Sequence, residues 1–402
     1  MSDQAAISSS PRAWRLPLLA VCSSHFLNDL LQALLVASYP VLHTDLALDF
    51  SQIGMLSLAY QFTASMFQPL VGAFTDRHAP RWSLMLGMTL SGAGIITLGT
   101  ADSYAWLVIA SMLLGLGSAI FHPEAARLAR RWAREKVGWG QSLFQLGGSL
   151  GSMAGPLVTA MVVLPYGRDS ITWFSALAAI GVLLAVFLWS AETEPRKKGG
   201  MVAVATTEPP ALMSTASPAG QLGVLFTLVC AKYVYLACFG SYLVFYLENA
   251  FDVPVASGLV VLFCFHAATA GGGLIGGAVS DRIGTRRVIA FSFWGAVPFA
   301  LAFPHLGLAP AVVAAIFASA IIASAFPAIV VHAQGLAPSK IGMISGLFYG
   351  TAFGVGGLAS AVFGWLADAT SIATIFNMSA WCPLVGLVAL WLRESSPEQS
   401  RL

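Results

Sequence analysis

The chain has 402 residues and a formal net charge of +2, with 57% apolar and only 9% charged residues. A water-soluble domain carries about a quarter charged residues, so the composition excludes a string of soluble domains and points to an integral membrane protein. The five cysteines (Cys22, Cys230, Cys238, Cys264 and Cys382) fall inside apolar runs with no CxxC pair, so they read as small apolar residues rather than as disulfides or metal ligands.

Twelve apolar segments follow in chain order, at about 16–42, 52–75, 82–100, 104–126, 138–163, 170–190, 221–247, 255–279, 288–304, 309–333, 341–366 and 372–392. Each reaches across a hydrocarbon core of about 30 Å at 1.5 Å per residue, and helices are required because an isolated strand leaves its backbone unsatisfied in lipid. The first segment contains "LLAVC", ending at Cys22, which looks like a lipoprotein cleavage site. Its apolar run continues to Leu42, so an uncleaved span is expected. The same segment carries His25, Asn28, Asp29 and Gln32, four side chains that are costly in hydrocarbon. The fourth contains His122, Pro123 and Glu124; the seventh contains Lys232 and Tyr235. Glycine runs in the fifth ("GGSLGSMAG") and eleventh ("GTAFGVGG") permit close helix approach. Between the sixth and seventh, residues 191–219 are rich in Pro, Gly, Ser and Thr and read as a linker.

All but two of the 20 lysines and arginines lie in the termini or in the even-to-odd loops. The exceptions are Arg168, in an odd-to-even loop, and Lys232, inside a span. The positive-inside rule therefore places both termini in the cytoplasm. Asp29 lies 14 residues beyond Arg15, about 21 Å along a helix, and so well inside the bilayer.

The two halves of the chain echo one another. "GAFTDRHAPR" (Gly72, Asp76, Arg77, Arg81) follows the second span and "GAVSDRIGTR" (Gly277, Asp281, Arg282, Gly284, Arg286) follows the eighth, at an offset of 205 (281 minus 76). Pro123 and Pro327 match at 204 (327 minus 123). The expected architecture is therefore all-α, with twelve transmembrane helices as two six-helix bundles related by a pseudo-two-fold axis. Residues 1–190 form the first bundle, 191–219 the linker and 220–402 the second bundle.

The repeated GxxxDRxGxR loop in a six-plus-six chain resembles the major facilitator superfamily, although the first copy has Ala79 where the usual Gly stands. "SHFLNDLLQ", "FQPLVGAFTD", "GSAIFHPEAARLAR", "QSLFQLGGSLGS", "AKYVYLA" and "IGMISGLFYGTAFGVGGLASA" resemble its bacterial fosmidomycin-resistance transporters. The resemblance implies a pump in the bacterial inner membrane that exports a small molecule as protons enter. It further implies that Asp76 and Asp281, beside Arg77, Arg81, Arg282 and Arg286, form latches that hold the cytoplasmic side closed in one state.

His25 and Asp29 are four residues apart, on one helix face, with Gln32 extending the stripe and Asn28 beside it. Lys232 stands at the repeat position of Asp29, at an offset of 203 (232 minus 29). In the superfamily fold, spans one, four, seven and ten line a central cavity, which implies that the two charges face each other across it. Glu124, Arg127 and Arg131 share a face near one membrane boundary and are expected to pair, with His122 deeper and Pro123 freeing a backbone carbonyl. Gln61 corresponds to His266 and Gln145 to Tyr349; these and Tyr235 complete the candidate pathway, each alone reading more readily as a packing residue than as a ligand.

No P-loop, zinc motif or nucleophile elbow is present. The chain is thus expected not to be an enzyme, to carry no cofactor or metal, and to be driven by an ion gradient. Its expected partners are the bilayer, a small-molecule substrate and protons, with no nucleic acid and a monomeric state. Export by proton antiport is the leading expectation. Proton-coupled metabolite uptake uses the same residues, and a non-transporting membrane sensor lacks the signalling tail it would need after Arg393.

Overall fold

A computed structural model describes residues 15–78, 82–133, 137–191, 218–337 and 341–392. Every element among them is helical: α1 (Arg15–Ala37), α2 (Tyr39–Asp45), α3 (Phe50–His78), α4 (Ser83–Thr100), α5 (Tyr104–Ala133), α6 (Val137–Val158), α7 (Leu164–Tyr166), α8 (Ser175–Ala191), α9 (Pro218–Phe251), α10 (Val255–Ile283), α11 (Thr285–Ala302), α12 (Leu308–Ala323), α13 (Ala325–Leu336), α14 (Ile341–Ala369) and α15 (Ile372–Ser379), with short 3₁₀ and π turns between some of them. Among the described residues, eleven helical stretches are long and apolar enough to cross a membrane. The 29-residue α3 has the length but carries Gln52, Gln61 and Gln68 along it, and is not among the eleven.

Local chemistry sets the breaks. The first apolar run turns at Ser38, just before Pro40 at the start of α2. The run from Leu308 to Leu336 breaks at Ser324, three residues before Pro327. The start of α3 is a reciprocal cap: Gln52 N–H donates to Asp49 Oδ1 (2.7 Å) and Asp49 N–H to Gln52 Oε1 (3.0 Å). Gly284, in the second loop signature, ends α10 at φ +91°, a conformation that side chains with a Cβ rarely adopt.

Small residues bring helices together as the glycine runs lead one to expect. A Cβ on Gly147, Gly151 or Gly155 of α6 would stand 2.5 Å from Cys22 O, 2.3 Å from Phe26 O and 2.5 Å from Ala33 Cβ, so α6 lies directly on α1. The second run presses α14 onto α3, but only towards one end. A Cβ would meet Phe50 O at 2.1 Å from Gly364 and Gln61 Oε1 at 2.7 Å from Gly356; from Gly350 and Gly346 nothing lies within 4 Å. The pair is therefore closed at the Phe50 end and splayed at the Met343 end, where Met66, Leu70, Met343 and Leu347 are exposed.

Polar contacts reinforce the closed end. Tyr39 Oη lies 2.7 Å from Ser57 Oγ, Ser57 Oγ 3.3 Å from Ser241 Oγ, and Ser241 Oγ 3.0 Å from Ser360 Oγ. Tyr242 donates to Ser360 O at 2.6 Å. Asp368, in the last turn of α14, accepts from Phe50 N–H (3.0 Å), Ser51 N–H (2.7 Å) and Ser51 Oγ–H (2.5 Å). The carboxylate thus covers donors that the start of α3 leaves unpaired.

Candidate functional site

The polar stripe of α1 meets α5 and α6 in the interior. His25 is 4% exposed, and its ring stacks on Phe144 with centroids 4.0 Å apart. Its Nδ1 lies 2.8 Å from Phe144 O. Because a carbonyl oxygen only accepts, Nδ1 carries the proton of this bond and Nε2 is left facing Asp29 Oδ2 at 3.4 Å. His122 repeats the arrangement from α5. Its Nδ1 donates to Ser118 O at 2.9 Å, and its Nε2 faces Asp29 Oδ1 at 3.3 Å. Asn28 Nδ2 donates to Asp29 Oδ1 at 3.2 Å, and Asn28 is itself held by Ser91 Oγ at 3.2 Å. Both carboxylate oxygens are therefore turned towards imidazole nitrogens whose other ring N–H is already committed.

Asp29 (16% exposed) and His122 (24%) are more open than His25, so access is from their side of the cluster. Gln32, 6% exposed, extends the stripe and accepts from Tyr60 Oη at 2.6 Å. Gly148 on α6 sits against the ring: a Cβ there would stand 2.4 Å from His25 Nε2 and 2.8 Å from Asp29 Oδ2.

The pair between Asp29 and Lys232 is not formed among the described residues, which corrects the expectation from repeat symmetry. Asp29 is taken up by two imidazoles, and Lys232 is satisfied on its own side. The lysine is 3% exposed, with Nζ 4.9 Å from the Tyr233 ring centre and 4.8 Å from that of Phe326. It donates to Ala323 O at 3.4 Å. Pro327 explains that acceptor. It has no N–H to offer the carbonyl four residues earlier, which is Ala323. The proline effect expected at Pro123 is thus used at its repeat partner, while α5 runs through Pro123 unbroken.

The remaining candidates scatter. Glu124, 2% exposed, pairs with Arg127. Gln61 packs against Gly356 and Gly357 of α14, a helix-packing role. Tyr235 takes the packing alternative: it is fully buried against Phe239 (ring centres 4.7 Å apart), and its hydroxyl finds no partner among the described residues. His266 is partly buried, its ring 5.9 Å from that of Phe265. Gln145 is exposed, and Tyr349, 41% exposed, meets Phe326 edge-on at 5.0 Å.

Of the loop signatures, Gly72, Asp76 and Arg77 lie within α3, and Arg81 lies outside the described residues. Gly277 and Arg286 are partly buried; Asp281 and Arg282 are exposed, and Asp281 makes no ion pair among the described residues. Two residues of consequence escaped sequence reasoning. Asp368 could have been found as an acid in the last turn of a helix, where the dipole disfavours it unless another group claims it. Gly148 was visible only as one glycine of a packing run.

The family described as Major Facilitator Superfamily matches residues 21–361. The chain is 40% identical over 382 residues to the fosmidomycin resistance protein of Escherichia coli (strain K12), covering 94% of this chain and 92% of that one. It is 33% identical over 380 residues to the uncharacterized MFS-type transporter YfnC of Bacillus subtilis (strain 168), covering 93% and 91%. Among solved structures it resembles a bacterial homolog of the human lysosomal transporter Spinster in an inward-facing and occupied conformation, with a TM-score of 0.77 over 96% of this chain and 100% of that one. At 14% identity that likeness concerns the fold alone. With a family match over most of its length and a 40% identical relative, this multi-pass chain is a membrane transporter rather than an enzyme and belongs to the Major Facilitator Superfamily.

Proposed function

We propose that the chain exports a small molecule across the bacterial inner membrane in exchange for protons, by alternating access. It does so as two six-helix halves, 1–190 and 220–402, joined by the linker 191–219, with both termini in the cytoplasm. The 29-residue α3 supplies the twelfth span, about 43 Å long at 1.5 Å per residue. The basic residues at the loops of one face support this orientation. On that assignment the closed end around Phe50 and Asp368 is the outer one, and the conformation opens inward.

The observation that carries the proposal is the His25–Asp29–His122 cluster. With both Nδ1–H groups donating to carbonyls, neutral imidazoles turn two Nε2 lone pairs on a carboxylate. Acceptors facing acceptors repel, so a proton placed between them is held, and each proton bound or released changes the charge deep in the protein. Binding of a substrate beside the cluster then biases its proton occupancy, which is the reciprocal linkage that coupling requires. The name of the 40% identical relative supports export and a drug-like cargo.

The deciding measurement uses energised everted membrane vesicles, a lumenal pH probe and a panel of compounds that includes fosmidomycin. Expected is proton release from the lumen when a transported compound is added, abolished by Asp29→Asn. Compound movement with no proton movement would overturn coupling. Accumulation in right-side-out vesicles, driven by an inward proton gradient, would establish uptake instead.

A further inference from the structure

We propose that His25, Asp29 and His122 also form a binding site for a divalent transition cation of the zinc type, with one coordination position left open. Their ligand atoms all lie within 4.8 Å of one another. Each imidazole Nε2 already approaches one carboxylate oxygen, His25 to Oδ2 at 3.4 Å and His122 to Oδ1 at 3.3 Å, near the roughly 3.3 Å between ligands bound at 2.0–2.1 Å in a tetrahedral zinc site. With one ligand atom from each residue the group spans up to 4.8 Å, so closure onto an ion asks for side-chain movements of about an ångström.

Three further features suit a metal site. Each imidazole donates its Nδ1–H to a backbone carbonyl, at 2.8 Å for His25 and 2.9 Å for His122. That outer contact fixes the tautomer with Nε2 free to ligate and raises its basicity. The carboxylate is oriented in turn by Asn28, itself fixed by Ser91. Gly148 leaves clear the space that a methyl group would fill at 2.4 Å from His25 Nε2. The donor set, two neutral nitrogens and one carboxylate, is that of three-ligand zinc sites with a fourth place for water. That fourth place lies on the side of Asp29 and His122, the more exposed members. No sequence motif announces the site, because the ligands come from two helices far apart in the chain.

The inference stands on this geometry and does not rest on proton exchange. If the cluster also carries the coupling proton, the cation competes for the same atoms and zinc inhibits transport. The test is therefore binding first. Purified full-length protein in detergent, stripped with a chelator, is titrated calorimetrically with Zn²⁺, and the loaded protein is examined by zinc-edge X-ray absorption. Expected are one high-affinity zinc per chain and a first shell of nitrogen and oxygen at 2.0–2.1 Å with imidazole scattering. His25→Gln and His122→Gln should each weaken binding at least about 100-fold, beyond the 10–100-fold typical of outer-contact losses. Gly148→Ala should weaken it as well, while His266→Gln leaves it unchanged. Size-exclusion profiles establish that each variant is folded. No stoichiometric zinc on the wild-type protein at micromolar free metal overturns the proposal, as does a sulfur-rich first shell or binding that survives His122→Gln. Zinc binding without inhibition of proton-linked transport leaves this site standing and refutes the proposed coupling role of the cluster instead.

Discussion

Replacing Asp368 with alanine tests what holds the closed end shut. The carboxylate sits on α14 and receives three hydrogen bonds from the first two residues of α3, at 3.0, 2.7 and 2.5 Å. These cap a helix N-terminus across the two proposed halves, so they exist only while that end is closed. A side-chain cap is worth about 1 kcal/mol, and a negative charge at an exposed N-terminus adds about 0.3–1 kcal/mol. The donors are exposed and rehydrate on opening, which keeps the total near the lower bound, about 1.5 kcal/mol. That corresponds to about a tenfold shift in the open-to-closed ratio.

The assay is electron–electron distance measurement between nitroxides at Thr44 and Asn249, exposed positions on α2 and α9 near the same end. Asp368→Ala should raise the long-distance population about tenfold, and Asp368→Asn, which keeps one acceptor, should raise it less. Added salt should shrink the difference between wild type and Asp368→Asn, because the charge–dipole part is screened. An unchanged distance distribution in Asp368→Ala would refute the reasoning and assign closure to the α3–α14 glycine contacts alone.

Three other outcomes follow from the same contacts. His122→Gln should abolish proton-coupled export in vesicles while leaving membrane insertion and expression normal, since it removes one Nε2 from Asp29 but keeps a side chain of similar reach between α5 and α1. Asp29→Asn combined with Lys232→Met should remain inactive, because Lys232 is satisfied by Ala323 O and two aromatic rings rather than by Asp29; recovery of transport in the double variant would reinstate a direct pair. Tyr235→Phe should transport normally and unfold within about 1 kcal/mol of wild type, as its buried hydroxyl has no partner to lose among the described residues; a large fall in melting temperature would show that the hydroxyl is bonded.

Much of this arrangement is legible in the chain because membrane physics is restrictive. Apolar length announces the spans, and the loop signature at the end of α3 recurs at the end of α10. The face shared by His25 and Asp29 follows from helical periodicity alone. What the residues did not disclose is which partner each charge takes. Repeat symmetry says that Asp29 and Lys232 are equivalent, but equivalence is silent about rotamers and about conformational state. His122 stood out as deep and polar, yet its approach to Asp29 depends on the crossing of α1 and α5, which no spacing encodes. Tyr235 faces the aromatic core because its ring has more to gain against Phe239 than its hydroxyl has in water.

The separation of Asp29 from Lys232 makes physical sense under the proposed alternation between states. An ion pair across the two proposed halves, dry and unscreened, would be costly to break at every cycle, since parting it leaves two uncompensated charges. Here each charge is instead compensated within its own half. Asp29 is held by His25 and His122, and Lys232 by Ala323 O and the faces of Tyr233 and Phe326. The described side-chain bonds that do cross between the proposed halves lie at the closed end, through Ser57, Ser241, Tyr242 and Asp368. Those at Asp368 are exposed, where water replaces them on opening. Such a division lets the halves rock at the cost of a few rehydrated hydrogen bonds, while the buried charges remain satisfied throughout. It also means that what happens at Asp29, a proton or a cation gained, reaches the other half only by changing what can occupy the space between them, which is the kind of linkage an exchanger needs.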